Sequence, residues 1–222
     1  MQAFDLAKIK NIVFDLGGVI LTLDKNEAVR RFKSAGLENA EELLDPYHQN
    51  GIFLELEEGK LSEQAFYDAV RTEAGKYISN KDIMWGWMGF IADCPEGKLK
   101  MLEDLRARGY RLYLLSNTNP VIMRWAMSSG FSPKGKNLSD YFDKLYLSYQ
   151  MGCVKPNSEI FQKMIADSGM IPSETLFLDD GKANVEMGNQ MGFQTYQPIN
   201  GEDFSHIFGD ISPFPVSELT GY

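Results

Sequence analysis

With 222 residues the chain can bury the core of one large domain, or of a domain carrying an insertion. Its 44% hydrophobic and 24% charged content is that of a soluble globular protein. A formal net charge of -9 argues against a nucleic-acid partner, and leaves any anionic substrate dependent on a local source of positive charge. The two cysteines, Cys94 and Cys153, read as packing residues of a reducing compartment rather than as a disulfide framework. Residues 1–10 lack the apolar core of a signal peptide and no apolar run approaches membrane-spanning length, so a cytoplasmic protein without a membrane partner is expected.

The first strong element is Ile12-Val13-Phe14, a β-branched and aromatic run expected of a strand buried on both faces. It stops at Asp15, and Gly17 and Gly18 follow. A lone buried carboxylate is costly, so Asp15 is expected at the strand end, facing a cleft, a cation or both. From Asp24 to about Asp93 helical patterns replace strand-like runs. Helices are predicted over 26–35, over 61–74 with Ser62 as N-cap, and over 83–91, where Trp85 and Trp87 join a dense apolar cluster. An insertion of this length suggests a lid.

From Pro95 an alternation of helices and strands resumes. Helices are predicted over 96–108, 121–128, 158–168 and 184–191, and strands over 110–115, 141–147, 176–178 and 193–196. Such alternation implies parallel pairing through right-handed crossovers. The expected architecture is therefore α/β, a Rossmann-like parallel sheet from residues 1–23 and 94–222 with a helical domain inserted at 24–93. The tail from Gly201 carries Phe204, Phe208, Phe214 and Tyr222, read as cover for a sheet edge or a neighbouring subunit.

Parallel strands carry the groups that follow them to one rim, where α/β sheets bind ligands. Here those groups are Asp15, Ser116-Asn117, Lys155 and Asp179-Asp180. Asp15 and Asp180 can share Mg²⁺, a hard cation that takes carboxylate and phosphate oxygens. Lys155 adds a point charge, and Ser116 adds a hydroxyl and backbone donors. Taken singly, each has an ordinary reading as a turn, a cap or a solvated side chain.

In this order the groups resemble the four motifs of the haloacid dehalogenase superfamily. Phe14-Asp15-Leu16-Gly17-Gly18-Val19 resembles the first, Leu115-Ser116-Asn117-Thr118 the second, Lys155-Pro156 the third, and Leu178-Asp179-Asp180 with Asn184 the fourth. Within it the chain is similar to the α-D-glucose-1-phosphate phosphatase-like branch, through Leu-Ser-Asn-Thr-Asn, Leu145-Tyr146-Leu147-Ser148 and the stretch from Phe53 to Ser62. The resemblance implies a core with strand order 5-4-1-2-3 and a helical cap after the first motif. It also implies a Mg²⁺-dependent phosphatase for a small phosphorylated metabolite, as a monomer or homodimer. Asp15 would be the nucleophile that forms an aspartyl-phosphate. Ser116 and the Asn117 backbone would hold phosphate oxygens, and Lys155 would stabilise phosphate and nucleophile. Asp15, Asp180, the Gly17 carbonyl and Asp179, directly or through water, would ligate the metal.

One position departs from the superfamily pattern: Gly17 stands where a second aspartate usually serves as general acid and base. That function is worth about 10²–10⁴ in rate. Without it, anomeric sugar phosphates and aryl phosphates are expected to outperform sugar 6-phosphates, unless cap contacts override the chemistry. His48 is the candidate substitute, and Phe53, Glu55 and Glu58 are the candidate determinants of substrate preference. Two other readings compete. A 2-haloacid dehalogenase needs no Mg²⁺ and leaves Asp179-Asp180 without a purpose. A non-catalytic Mg²⁺- and phosphate-binding protein is favoured by Gly17 and opposed by Asp15, Lys155 and Asp180.

Overall fold

The computed structural model describes residues 6–44 and 50–209. Five parallel strands form the central sheet, in the order β5 (Lys144–Leu147), β4 (Arg111–Ser116), β1 (Asn11–Phe14), β6 (Thr175–Leu178) and β7 (Gln194–Tyr196). Counted among themselves in chain order and read from the β7 edge, these strands run 5-4-1-2-3, the expected order. β1 is central and all four of its residues are buried. Alternate residues serve opposite faces, as strand geometry requires. Ile12, Phe14, Leu112, Leu114, Leu176 and Leu178 pack with Leu99, Leu102 and Leu105 of α6 (Glu96–Ala107). Val13, Tyr113, Leu115 and Phe177 pack on the other side with Ile160, Phe161 and Met164 of α9 (Ser158–Ser168).

The segment after β1 folds into helices α1 (Lys25–Ala35), α2 (Ala40–Leu43), α3 (Gly51–Glu57), α4 (Glu63–Ala74) and α5 (Asn80–Met88). The Asp24 carboxylate caps α1 by accepting from the Glu27 N–H, and the Ser62 hydroxyl caps α4 by accepting from the Ala65 N–H. Their apolar faces close around an aromatic group of Phe32, Phe53, Phe66 and Trp87, with ring centroids 5.2–6.1 Å apart. This second core also takes in Val121 and Ile122 of α7 (Pro120–Ala126), the helix that starts just after Ser116-Asn117. The helical layer thus sits on the rim at which the strands end.

Three features were not legible from the pattern. β2 (Thr22–Leu23) and β3 (Ile91–Asp93) pair antiparallel where the insertion leaves and rejoins the sheet domain, so the segment is not wholly helical. Asn200 secures this two-stranded flap, accepting from the Leu23 N–H and donating to the Leu23 carbonyl at 2.9 Å each. The third is the tail, where Phe204 and Phe208 lie against Phe14 with centroids 6.5 Å away, covering the face of the central strand instead of a sheet edge or a second subunit. Phe214, Tyr222 and His48 fall outside the described residues.

The layer is fixed over the rim by a close approach at the end of α3. Gly59 has φ +70°, and a Cβ there would lie 2.2 Å from the Tyr149 carbonyl oxygen, in α8 (Ser148–Met151). Gly75, at the end of α4, has φ +62° with nothing within 4 Å of its Cβ position. Gly75→Ala should therefore cost about 1 kcal/mol, the left-handed backbone penalty alone. Gly59→Ala adds a clash with backbone and should cost on the order of 3 kcal/mol in urea unfolding. Equal losses would mean that α3 is not held against α8.

Candidate active site

The site follows from strand register. Phe14 pairs with Leu114 on one side and Leu178 on the other, so Asp15 and Asp179 leave adjacent strand ends together. Between them lies Lys155, carried in from the loop before α9 and fully buried. Its Nζ is 3.0 Å from Asp15 Oδ1 and 2.5 Å from Asp179 Oδ2. Burial alone would lower the lysine's pKa; the two carboxylates outweigh it and raise it. Burial pushes the Asp15 carboxyl up to about 7, opposed by Lys155 and reinforced by Asp179 and Asp180.

Both oxygens of Asp179 are engaged. Oδ2 takes Lys155, while Oδ1 accepts from the Gly181 N–H at 2.8 Å and from Asn184 Nδ2 at 2.9 Å. Gly18, at φ +73°, is a glycine because Asp180 occupies its side-chain space: a Cβ would meet Asp180 Oδ2 at 2.1 Å. On the other side of that turn the buried Lys98 ammonium donates to the Val19 carbonyl and holds the loop in place. One oxygen from each of Asp15, Asp179 and Asp180 lies within 4.8 Å of the others. Three carboxylates against one ammonium leave a site with excess negative charge and hard oxygen donors, a set that suits a small divalent cation.

The Ser116-Asn117-Thr118-Asn119 segment divides its work. Ser116 lines the cleft, and among the described residues its hydroxyl donates one long hydrogen bond, 3.4 Å to the Asn117 carbonyl. The Asn117 side chain turns away to clamp the Lys155 backbone, donating to its carbonyl at 2.9 Å and accepting from its N–H at 2.8 Å. Ser148 accepts from the Thr118 N–H, and Asn119 caps α7 by accepting from Val121 and Ile122. All of the sequence-expected residues, Asp15, Gly17, Ser116, Asn117, Lys155, Asp179 and Asp180, come together at one rim, and all but the buried Asp179 line one cleft.

The opposite wall comes from the helical layer and the flap: Leu23, Glu57, Trp87, Phe90 and Ile91, with Ile122 of α7. Trp87 is buried, and its indole N–H has no acceptor among the described residues. Phe53, Glu55 and Glu58 are not in this wall. Phe53 is in the aromatic core, and Glu58 pairs with Lys60 at 2.6 Å. The residue that reaches the cleft from this stretch is Glu57, which the sequence reading missed. A signal was there, since Glu57 is four residues after Phe53 and so shares the buried face of a short helix. Cys153 is buried as expected and Cys94 half-buried, both free thiols.

This fold and this rim define a hydrolase class. The chain belongs to the haloacid dehalogenase-like hydrolases, whose family model matches residues 9–192. It is 52% identical over 196 residues to the D-ribitol-5-phosphate phosphatase of Bacteroides thetaiotaomicron, covering 88% of this chain and 95% of that protein. A HAD-like family hydrolase from Porphyromonas gingivalis superposes with a TM-score of 0.85 at 48% identity, over 88% of this chain and 94% of that one. An aspartate-to-alanine variant of a HAD family enzyme from Bacteroides thetaiotaomicron, solved with magnesium and inorganic phosphate, has a TM-score of 0.86 at 40% identity, over 90% and 98% of the chains.

Glu57 makes the site's electrostatics testable. Burial first, then the Asp15 charge, pushes its carboxyl up to about 8 from an ordinary value of 4.5, with Lys155 opposing. A carboxyl that keeps its proton more tightly when folded loses stability as pH rises from 4.5 through about 8. Glu57→Gln is neutral throughout. In metal-free protein the melting temperature of Glu57→Gln should exceed that of wild type by a margin that widens from pH 5 to pH 8. A margin independent of pH would contradict the burial of this carboxyl beside Asp15.

Proposed function

We propose that this protein is a Mg²⁺-dependent phosphatase that hydrolyses a small polyol or sugar phosphate through a covalent intermediate on Asp15. The observation that carries the reading is the fully buried Lys155 ammonium, bonded at once to Asp15 and Asp179. A dehalogenase has no use for the three clustered carboxylates, and a bare binding protein has none for a carboxylate held this way at the mouth of a cleft.

In this mechanism the substrate phosphate lies against Ser116, the Asn117 backbone and Lys155. These donors neutralise its oxygens and fix phosphorus in line with the Asp15 carboxylate. Asp15 and Asp180, with the Gly17 carbonyl, would hold the metal. Asp179, its oxygens already engaged, would act from behind by orienting Lys155, or would reach the metal through water. Bound Mg²⁺ supplies charge that favours the ionised form of Asp15 and draws electron density from the phosphoryl group. Asp15 attacks phosphorus and displaces the alcohol, and water then releases phosphate and restores the carboxylate.

The substrate class follows from two supports. The 52% identical relative is named for an acyclic pentitol 5-phosphate, an ester of a primary alcohol. The cleft's far wall is apolar except for Glu57 and the Trp87 indole, two groups able to hydrogen-bond a hydroxylated chain. This reading favours a polyol or sugar phosphate ester of a primary alcohol over the anomeric phosphates expected from Gly17 alone.

Wild-type protein with Mg²⁺ should release phosphate from D-ribitol 5-phosphate, and excess chelator should abolish the release. Asp15→Asn, which leaves Lys155 paired with Asp179, should remove nearly all turnover from a protein that still folds, and Asp180→Ala should sharply raise the Mg²⁺ concentration needed. Turnover at the wild-type rate by Asp15→Asn, or full activity in chelator, would overturn the mechanism.

A further inference from the structure

A primary alkoxide is a poor leaving group and needs a proton as the P–O bond breaks. Gly17 does not supply one, and the space beside it is taken: a Cβ there would meet Leu23 Cδ1 of the flap at 2.9 Å. The opposite wall offers a single titratable side chain from the helical layer among the described residues, Glu57. It is 7% exposed and lines the same cleft as Asp15, Ser116, Lys155 and Asp180. Its carboxyl forms no hydrogen bond or ion pair among the described residues. It is also firmly placed, because Phe53 and Leu56 anchor α3 in the aromatic core and Gly59 closes onto Tyr149. A carboxyl on a buried residue, lining the cleft and without a partner among the described residues, is unexplained by folding, since an apolar residue would pack better.

We infer that Glu57 is the general acid and base of this enzyme, delivered from the helical layer in place of an acid after Asp15. The inference rests on the phosphatase reading above. In the first step the Asp15 carboxylate forms a bond to phosphorus while the bond from phosphorus to the ester oxygen breaks. The Glu57 proton passes to that oxygen, so that the product leaves as a neutral alcohol. In the second step Glu57, now a carboxylate, takes a proton from water as its oxygen bonds to phosphorus. The acyl-phosphate bond to Asp15 breaks, giving inorganic phosphate, a free Asp15 carboxylate and a reprotonated Glu57. Both steps use a near-neutral carboxyl, and the apolar neighbours Trp87, Phe90 and Ile91 keep bulk water from short-circuiting the proton.

The test compares two esters that differ in leaving group, D-ribitol 5-phosphate and p-nitrophenyl phosphate, with Mg²⁺ present. Glu57→Gln should lower kcat/KM for the ribitol ester by about 10²–10⁴-fold, and for the aryl ester, which needs no proton, by less than about tenfold. Equal losses on both esters, or no loss on either, would overturn the role of Glu57 and leave the phosphatase reading standing. A wild-type protein inactive on both esters would instead remove the reading on which the role depends. A second measurement needs no variant: across a series of alkyl and aryl phosphates, wild-type kcat/KM should depend only weakly on leaving-group pKa. A steep dependence would mean that no acid assists departure, and would overturn the inference.

Discussion

The molecule is arranged around one buried cation. Lys155 has no access to solvent and stands between Asp15 and Asp179, which leave neighbouring strands of the sheet. Its backbone is held separately, by both polar atoms of the Asn117 side chain at the end of β4. One residue therefore ties together the ends of β1, β4 and β6, and does so only if the strands pair in the observed register. An ion pair this deeply buried contributes little net stability, yet removing one partner leaves an uncompensated charge and costs about 3–5 kcal/mol. The arrangement is better understood as a means of presenting a carboxylate in fixed geometry than as a device for stability.

The cleft has two unlike walls. The sheet rim concentrates charge, with three carboxylates and one ammonium within a few ångströms. The helical layer contributes Trp87, Phe90 and Ile91 and a single carboxyl, Glu57. Low polarity on that side strengthens every interaction on the charged side, since electrostatic energies grow as water is excluded. It also separates the two acids. Asp15 faces an ammonium, whereas Glu57 has no hydrogen-bond or ion-pair partner among the described residues. A pair of carboxyls set apart in this way suits one to act as nucleophile and the other as proton carrier.

Much of this was readable from the chain. Strands that are buried on both faces announce themselves as short apolar runs, so Ile12–Phe14 and Leu176–Leu178 were visible, and their following residues carried the rim. The helix cap at Ser62 was equally local, its hydroxyl accepting from an N–H of the next turn. What escaped depends on tertiary approach. α3 is short and interrupted by charge, and Glu57 among Glu55, Glu57 and Glu58 is distinguishable only by sharing a helix face with Phe53. Asn117 was read through its backbone, and the clamp its side chain makes on a residue 38 positions away went unread. The flap clamp by Asn200 and the packing of Phe204 on Phe14 span comparable or larger separations, where no periodic signal exists.

The most direct measurement is rapid acid quenching of the wild-type protein during turnover of D-ribitol 5-phosphate with Mg²⁺, followed by mass spectrometry of its peptides. The expected result is a transient phosphoryl group on the peptide bearing Asp15, appearing with the first release of alcohol and decaying as phosphate forms. Alcohol and phosphate released in step, with no phosphoryl group on Asp15 at any quench time, would contradict it.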